Sequence, residues 1–338
     1  MAPYLPYASP TNRSVRAFTT DATGAAYVTG VHTATYTFAG STYTHRGKGD
    51  VWVGKLDPWG RPLWVHMWGG AEPDEGQAVA ADADSVYVAG VFQSPSMAMG
   101  AFTLSASHVN TTDIFLARLN GTTGEVLWAR AFGTEAIETA ASVAVAADGG
   151  VVLAGAFTGA SLPLDATTTL SNANAAAGGN STFVATFAAA DGQLRSATAY
   201  ADMQSVARMV RDPATGGVYF VGTDYVSRLG SWRTSLAGSN TVDVRRSIAM
   251  DPTSRHVFVA GQFVNTTLTL GRTVLQNGNR NGGNIDGYVA RLDAATGEIT
   301  RAWRITGEGQ EVVLGLAVDS NTVFAAGWSR WMLVDAEG

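Results

Sequence analysis

Five histidines, His32, His45, His66, His108 and His256, are the side chains best suited to proton transfer or metal ligation, and none stands in an H-E-x-x-H or comparable spacing. His32 and His45 flank one stretch and meet only if it turns back on itself, an arrangement that favours a structural or surface role over metal binding. Three sets of acids, Asp74 with Glu75, Glu135 with Glu138, and Glu308 with Glu311, resemble cation ligands or paired acids. None lies in an EF-hand loop, and acids satisfying backbone amides in the links between repeats explain them better. The chain has no phosphate-binding G-x-x-x-x-G-K-[ST], no strand-to-helix G-x-G-x-x-G and no G-x-S-x-G nucleophile elbow. It has no cysteine, which removes disulfides, thiolate metal sites and thiol nucleophiles. The chain is therefore expected to have no catalytic residues, no metal and no cofactor.

Composition narrows the partners. A net charge of -6 argues against a phosphate backbone, which calls for a basic patch. Hydrophobic residues make up 46% and charged residues 15% of the 338, enough for a sizeable buried core. No apolar run reaches the roughly 18 residues of a membrane helix. The opening stretch, MAPYLPYASPTNRS, has neither the basic nor the apolar region of a signal peptide. Sequons at Asn12, Asn110, Asn120, Asn180 and Asn265 are no more than a Ser- and Thr-rich chain supplies by chance.

The elements that would position any site are internal repeats. A strand ending in glycine recurs at Gly30, Gly90, Gly155, Gly222, Gly261 and Gly327, as in SVYVAG and HVFVAG. Each is preceded by a small-residue strand ending near Asp, at Asp21, Asp82, Asp148, Asp212, Asp251 and Asp319. Third strands begin at Asp50, Asp113, Thr182, Asp224 and Asp286, and fourth strands at Pro62, Glu125, Gln193, Ser231 and Glu298. The turns between third and fourth strands (DPWGRP, NGTTGE, DAATGE) hold the Asp, Asn and Gly that tight turns need. The middle strands are apolar at consecutive positions, so the sheets are covered on both faces. Trp52, Trp64, Trp68, Trp128, Trp232 and Trp303 recur at similar places and read as packing residues.

These features predict a single all-β domain over 1–338, a six-bladed β-propeller of four-stranded antiparallel blades. The blades cover approximately 14–70, 77–134, 141–201, 205–238, 246–307, and 312–338 completed by 2–9. In that last blade the N-terminal strand is expected to supply the missing fourth strand and close the ring, the alternative being a trimmed piece of a longer repeat array.

Four copies carry an insertion between second and third strands, from Thr35, Ser96, Ser161 and Thr267, each two alternating stretches about a turn and hence a β-hairpin. Copies four and six lack it. In a propeller these links share a face with the links between blades, so one face is crowned by hairpins. Loops carry function more often than scaffold does, which makes Tyr43, His45, Arg46 and Lys48 on the first hairpin, His108 on the second and Arg280 on the fifth copy the candidate binding residues.

The runs DGYVARLDAATGEITRAW from Asp286, DVWVGKLDPWGRPLWVHMWGG from Asp50 and AVAADADSVYVAGVF resemble the SBBP repeat, a family described as seven-bladed β-propeller repeats; here six copies are present. The resemblance implies a propeller and an extracellular or surface setting, and no defined activity. The leading functional expectation is a non-enzymatic recognition or assembly module that binds a protein or glycan through the hairpin face. The alternatives are a propeller-fold polysaccharide hydrolase or lyase, whose acids and bases would converge in one funnel, and a structural subunit of a surface layer or large particle.

Overall fold

The computed structural model describes residues 13–21, 23–38, 41–146, 148–201, 203, 208–212, 214–222, 225–236, 247–251, 253–278, 285–305, 311–318, 322–328 and 332–335. Apart from a 3-10 turn at Ala175–Ala177, the regular structure among them is all strand. No helix among the described residues is long and apolar enough to cross a membrane. The chain falls into two compact units, residues 1–205 and 206–338.

The first unit holds three four-stranded antiparallel sheets, one per copy, each with its strands in chain order. Copy one pairs Arg13–Thr20, Ala26–His32, Asp50–Leu56 and Pro62–Trp68. Copy two pairs Asp74–Ala81, Ser85–Phe92, Asp113–Asn120 and Val126–Phe132, and copy three Glu138–Val145, Val151–Phe157, Ser181–Phe187 and Leu194–Tyr200. The three expected hairpins are present: Tyr36–Phe38 with Ser41–Tyr43, Ser96–Met99 with Phe102–Ser105, and Ser161–Pro163 with Thr169–Ser171.

All eight residues of Ser85–Phe92 are buried, and the reason is the alternation of a strand between two cores. Val86, Val88 and Phe92 pack with Tyr27, Val51 and Val53 of copy one, whereas Tyr87 and Ala89 pack with Val151 and Leu153 of copy three. The glycine of the repeat has a packing cause. Gly90 lies opposite Phe115, and a Cβ there would sit 2.7 Å from the phenyl ring and 2.0 Å from the Glu75 carbonyl. Gly155 faces Phe183 and Gly261 faces Tyr288 in the same way, an aromatic laid over a bare backbone.

Neighbouring copies are joined by a repeated socket. Lys55 Nζ, Tyr27 Oη and Trp64 Nε1 donate to the Gly121 carbonyl at 3.0, 3.3 and 3.4 Å. In the next joint Trp128 Nε1 and Arg118 Nη1 donate to the Ala189 carbonyl at 2.7 and 2.8 Å. The acceptor is each time in the turn between third and fourth strands of the following copy.

The second unit contains copy four (Arg208–Arg211, Val218–Val221, Tyr225–Arg228, Trp232–Ser235) and copy five (Ser247–Met250, His256–Phe263, Asp286–Asp293, Ile299–Ile305), again four-stranded. Copy five carries the hairpin Thr267–Leu270 with Thr273–Gln276. Copy six shows three strands among the described residues, Val312–Val318, Thr322–Trp328 and Met332–Asp335. The segment 2–9 expected to complete it lies outside the described residues. The socket recurs between copies four and five, where Tyr219 Oη and Trp232 Nε1 each donate to the Ala294 carbonyl at 3.1 Å.

Two sequence expectations change. Trp64, Trp128 and Trp232 share one register, opposite Lys55, Arg118 and Arg228, but Trp303 faces Val289, two places along, where Arg301 holds the tryptophan position. The inner strands of copies two and three begin at Asp74 and Glu138, three residues before the expected 77 and 141, because β-bulges at Gly76/Ala78 and Ala140/Ser142 break the alternation there.

Candidate functional site

The hairpins are rooted on buried carboxylates. At the return of the second hairpin, Asp113 accepts the Ser107 backbone N–H on Oδ2 at 2.6 Å and its hydroxyl on Oδ1 at 2.8 Å. Asp50 Oδ2 accepts the Arg46 N–H at 2.9 Å after the first hairpin, and Asp286 Oδ2 the Gly278 N–H at 2.7 Å after that of copy five. Copy three uses neutral groups instead: buried Ser181 donates its hydroxyl to Asn172 Oδ1 at 2.8 Å, and the Asn172 amide donates to the carbonyls of Thr158 and Gly179. The glycine that ends the fourth strand leaves room for the acid. A Cβ on Gly133 would lie 2.1 Å from the Asp113 carboxyl carbon, and one on Gly69 2.2 Å from Asp50 Oδ1.

A second acid lies behind each of the first two roots. Asp74 accepts from Gly70 N and Ser94 Oγ on one oxygen, at 2.8 and 2.7 Å, and from Gln93 N and Ser94 N on the other. Glu138 accepts from Thr134 N at 3.2 Å and Thr134 Oγ1 at 2.6 Å. These residues were expected in the links between repeats, accepting from backbone amides; they do accept backbone N–H groups, but as the first residues of strands and fully buried. Burial holds the carboxyls of Asp50, Asp74, Asp113 and Glu138 above the ordinary value, opposed by their hydrogen bonds. The nearby charge of Asp74 adds to the shift at Asp50, as that of Asp113 does at Glu138. The legible signal was the recurrence of the pairing, Asp50 with Asp74, Asp113 with Glu138 and Asp286 with Glu311, at near-equal spacing.

The structure brings His32 and His45 together, with ring centroids 6.5 Å apart and planes tilted by 53°. His32 is fully buried and is the cross-strand partner of Asp50, at the position held by Phe92, Phe157 and Phe263 in copies two, three and five. Of the other expected site residues, Tyr43 and His45 are half-buried and Arg46 is exposed. Lys48 and His108 are both engaged, Lys48 Nζ with Glu72 at 2.6 Å and His108 Nε2 facing Glu135 at 3.9 Å. Arg280 lies outside the described residues. His66 is stacked on Trp68 at 5.8 Å, and burial pushes its imidazole below the usual value. His256 Nδ1 sits 2.8 Å from Asp251. Among the described residues no three His, Asp or Glu side chains stand where they could hold a metal ion together.

An open cleft of about 250 Å³ lies between the root of the second hairpin and the turn of the third, lined by Ser107, Asp113, Phe132, Gly133, Leu164 and Asp165 among others.

No family model matches the chain, and no curated protein matches it. Among solved structures it is similar to a protein of unknown function from Dyadobacter fermentans, with 9% identity over 95% of this chain and 93% of that one, at a TM-score of 0.52. Fainter likenesses are to a quinohemoprotein alcohol dehydrogenase from Pseudomonas putida (9% identity, 96% of this chain and 66% of that one, TM-score 0.49) and to the Dos1 propeller (8% identity, 97% and 70%, TM-score 0.45). This chain thus spans just under two thirds of the dehydrogenase. At these identities only the first likeness bears on the protein, and only on its fold.

Proposed function

We propose that the chain is a non-enzymatic recognition or assembly module whose hairpin-bearing face binds a protein or glycan. The observation that carries this reading is the rooting of the hairpins. A buried, hydrogen-bonded acid or amide fixes the return of each one, while the residues each presents differ from copy to copy. A conserved root with variable tips is what a scaffold for recognition requires, since rigid display lowers the ordering cost of binding. On this reading the repeats are SBBP-type blades, six in number. Residues 2–9 complete the sixth and close the ring, giving one domain in an extracellular or surface setting.

The experiment is a panel of purified glycans and candidate surface proteins probed with the whole chain. The comparison is between alanine at Tyr43, His45, Arg46 and Lys48 and alanine at Trp59, which is 68% exposed in the turn between third and fourth strands. Binding lost with the first set and kept with Trp59→Ala supports the reading; a binder retained by the hairpin variants counts against it.

A further inference from the structure

Copies one and two differ at one bond. Ser107 gives Asp113 both an N–H and an O–H, whereas Arg46, in the same place, gives Asp50 only its N–H. Asp50 Oδ1 is left buried without a hydrogen-bond partner among the described residues, and so is Nδ1 of His45, the residue just before Arg46. The residue just before Ser107 in copy two is Ala106, and His32 is replaced there by Phe92. A buried oxygen and a buried nitrogen without partners are each costly, and in native proteins they call for an explanation. Protonation answers both whichever tautomer the neutral ring holds, because an imidazolium carries a donor on each nitrogen and a charge suited to a carboxylate.

We propose that protonation of His45 closes a charge-assisted hydrogen bond to Asp50, so that the first hairpin is pinned in mildly acidic solution and loosens as its imidazole loses that proton. Rotation of the His45 ring is part of the step, since the bond is not made in the structure. Imidazole is the side chain whose charge ordinarily changes between about pH 5 and 8. The groups facing the pair are His32, whose ring centroid lies 6.5 Å from that of His45, and Arg46 and Asp74, which act on Asp50. Asp74 opposes the charge on Asp50, and Arg46 and His45 favour it. Burial raises the Asp50 carboxyl, which sets the acid limit: once it too is protonated the charged bond is lost. The second hairpin sits on an apolar seat, where Met97, Met99 and Leu104 are buried in one core with Phe92, and its own histidine, His108, favours the Asp113 charge from an exposed place facing Glu135.

The test is amide hydrogen exchange on the whole chain without a partner, so its outcome is independent of whether the hairpin face recognises anything. Protection of residues 36–46, corrected for intrinsic exchange, is expected to rise roughly tenfold from about pH 8 to about pH 6, the size of one charge-assisted bond. Residues 96–107, whose root already has a hydroxyl donor, should rise clearly less. His45→Ala, which copies the second hairpin, is expected to abolish the rise. Arg46→Ser, which restores the hydroxyl donor, should protect the hairpin at both pH values. An equal response in both hairpins, or a wild-type rise in His45→Ala, overturns the proposal.

Discussion

The first two hairpins are both antiparallel pairs that return to an acid, but their roots differ. In copy two each oxygen of Asp113 accepts a bond from Ser107, whose hydroxyl also lies 2.7 Å from the Thr134 carbonyl, and the seat beneath is phenylalanine. In copy one only one oxygen of Asp50 accepts a bond among the described residues, and the seat is histidine. The fold tolerates both because the structural demand at this position is a buried acceptor for one returning N–H. Whatever fills the second oxygen is free to vary, and variation there changes how firmly the hairpin is held without moving it.

The comparison can be broken most forcefully through the seat. Phe92→Ala removes a fully buried ring from the core shared by copies one and two and is expected to cost about 3–5 kcal/mol in urea unfolding. The glycine behind the acid comes next. Gly133→Ala sets a methyl against the Asp113 carboxyl, with an expected loss of about 1–3 kcal/mol, and Gly69→Ala should do the same to Asp50. Ser107→Ala makes copy two resemble copy one by stripping the hydroxyl from Asp113; about 1–2 kcal/mol is expected, read as lost exchange protection in residues 96–107.

The smallest effect is on pH dependence. Burial raises the folded-state carboxyl of Asp113, so the folded protein holds that proton more tightly than the unfolded chain. Its stabilising contribution is whole below the ordinary value of 3.8 and is lost as pH rises through the raised one. Asp113→Asn keeps an acceptor and cannot ionise. Its urea midpoint should fall less than that of the wild type between about pH 4 and about pH 7. A steeper fall would show that the charged form is the one the root prefers.

The repeats, the four hairpins and the pairing of strands in chain order were legible because their causes are local. Glycine opposite an aromatic, as at Gly90 and Phe115, leaves a mark at a fixed place in every strong copy. The role of the acids as acceptors of backbone amides was legible, since the amides of Gly70 and Thr134 lie only four residues before Asp74 and Glu138. Their place was not: they look like link residues because the bulges after them hide the strand period, and their burial comes from neighbouring strands. Lys48 and His108 looked available because the acids that face them, Glu72 and Glu135, belong to the next link along the chain. His32 and His45 were expected to be able to meet, but that His32 is the cross-strand partner of Asp50 appears only once the sheet is paired.

The sockets between copies have a direction. The donors Tyr27, Lys55 and Trp64, then Arg118 and Trp128, lie on the earlier copy, and the accepting carbonyls of Gly121 and Ala189 lie on the later one. A single repeat therefore carries one half of the joint at each side. A tandem duplication of the coding segment would arrive with a ready-made junction, which gives such a chain a route to gain or lose whole repeats without evolving a new contact.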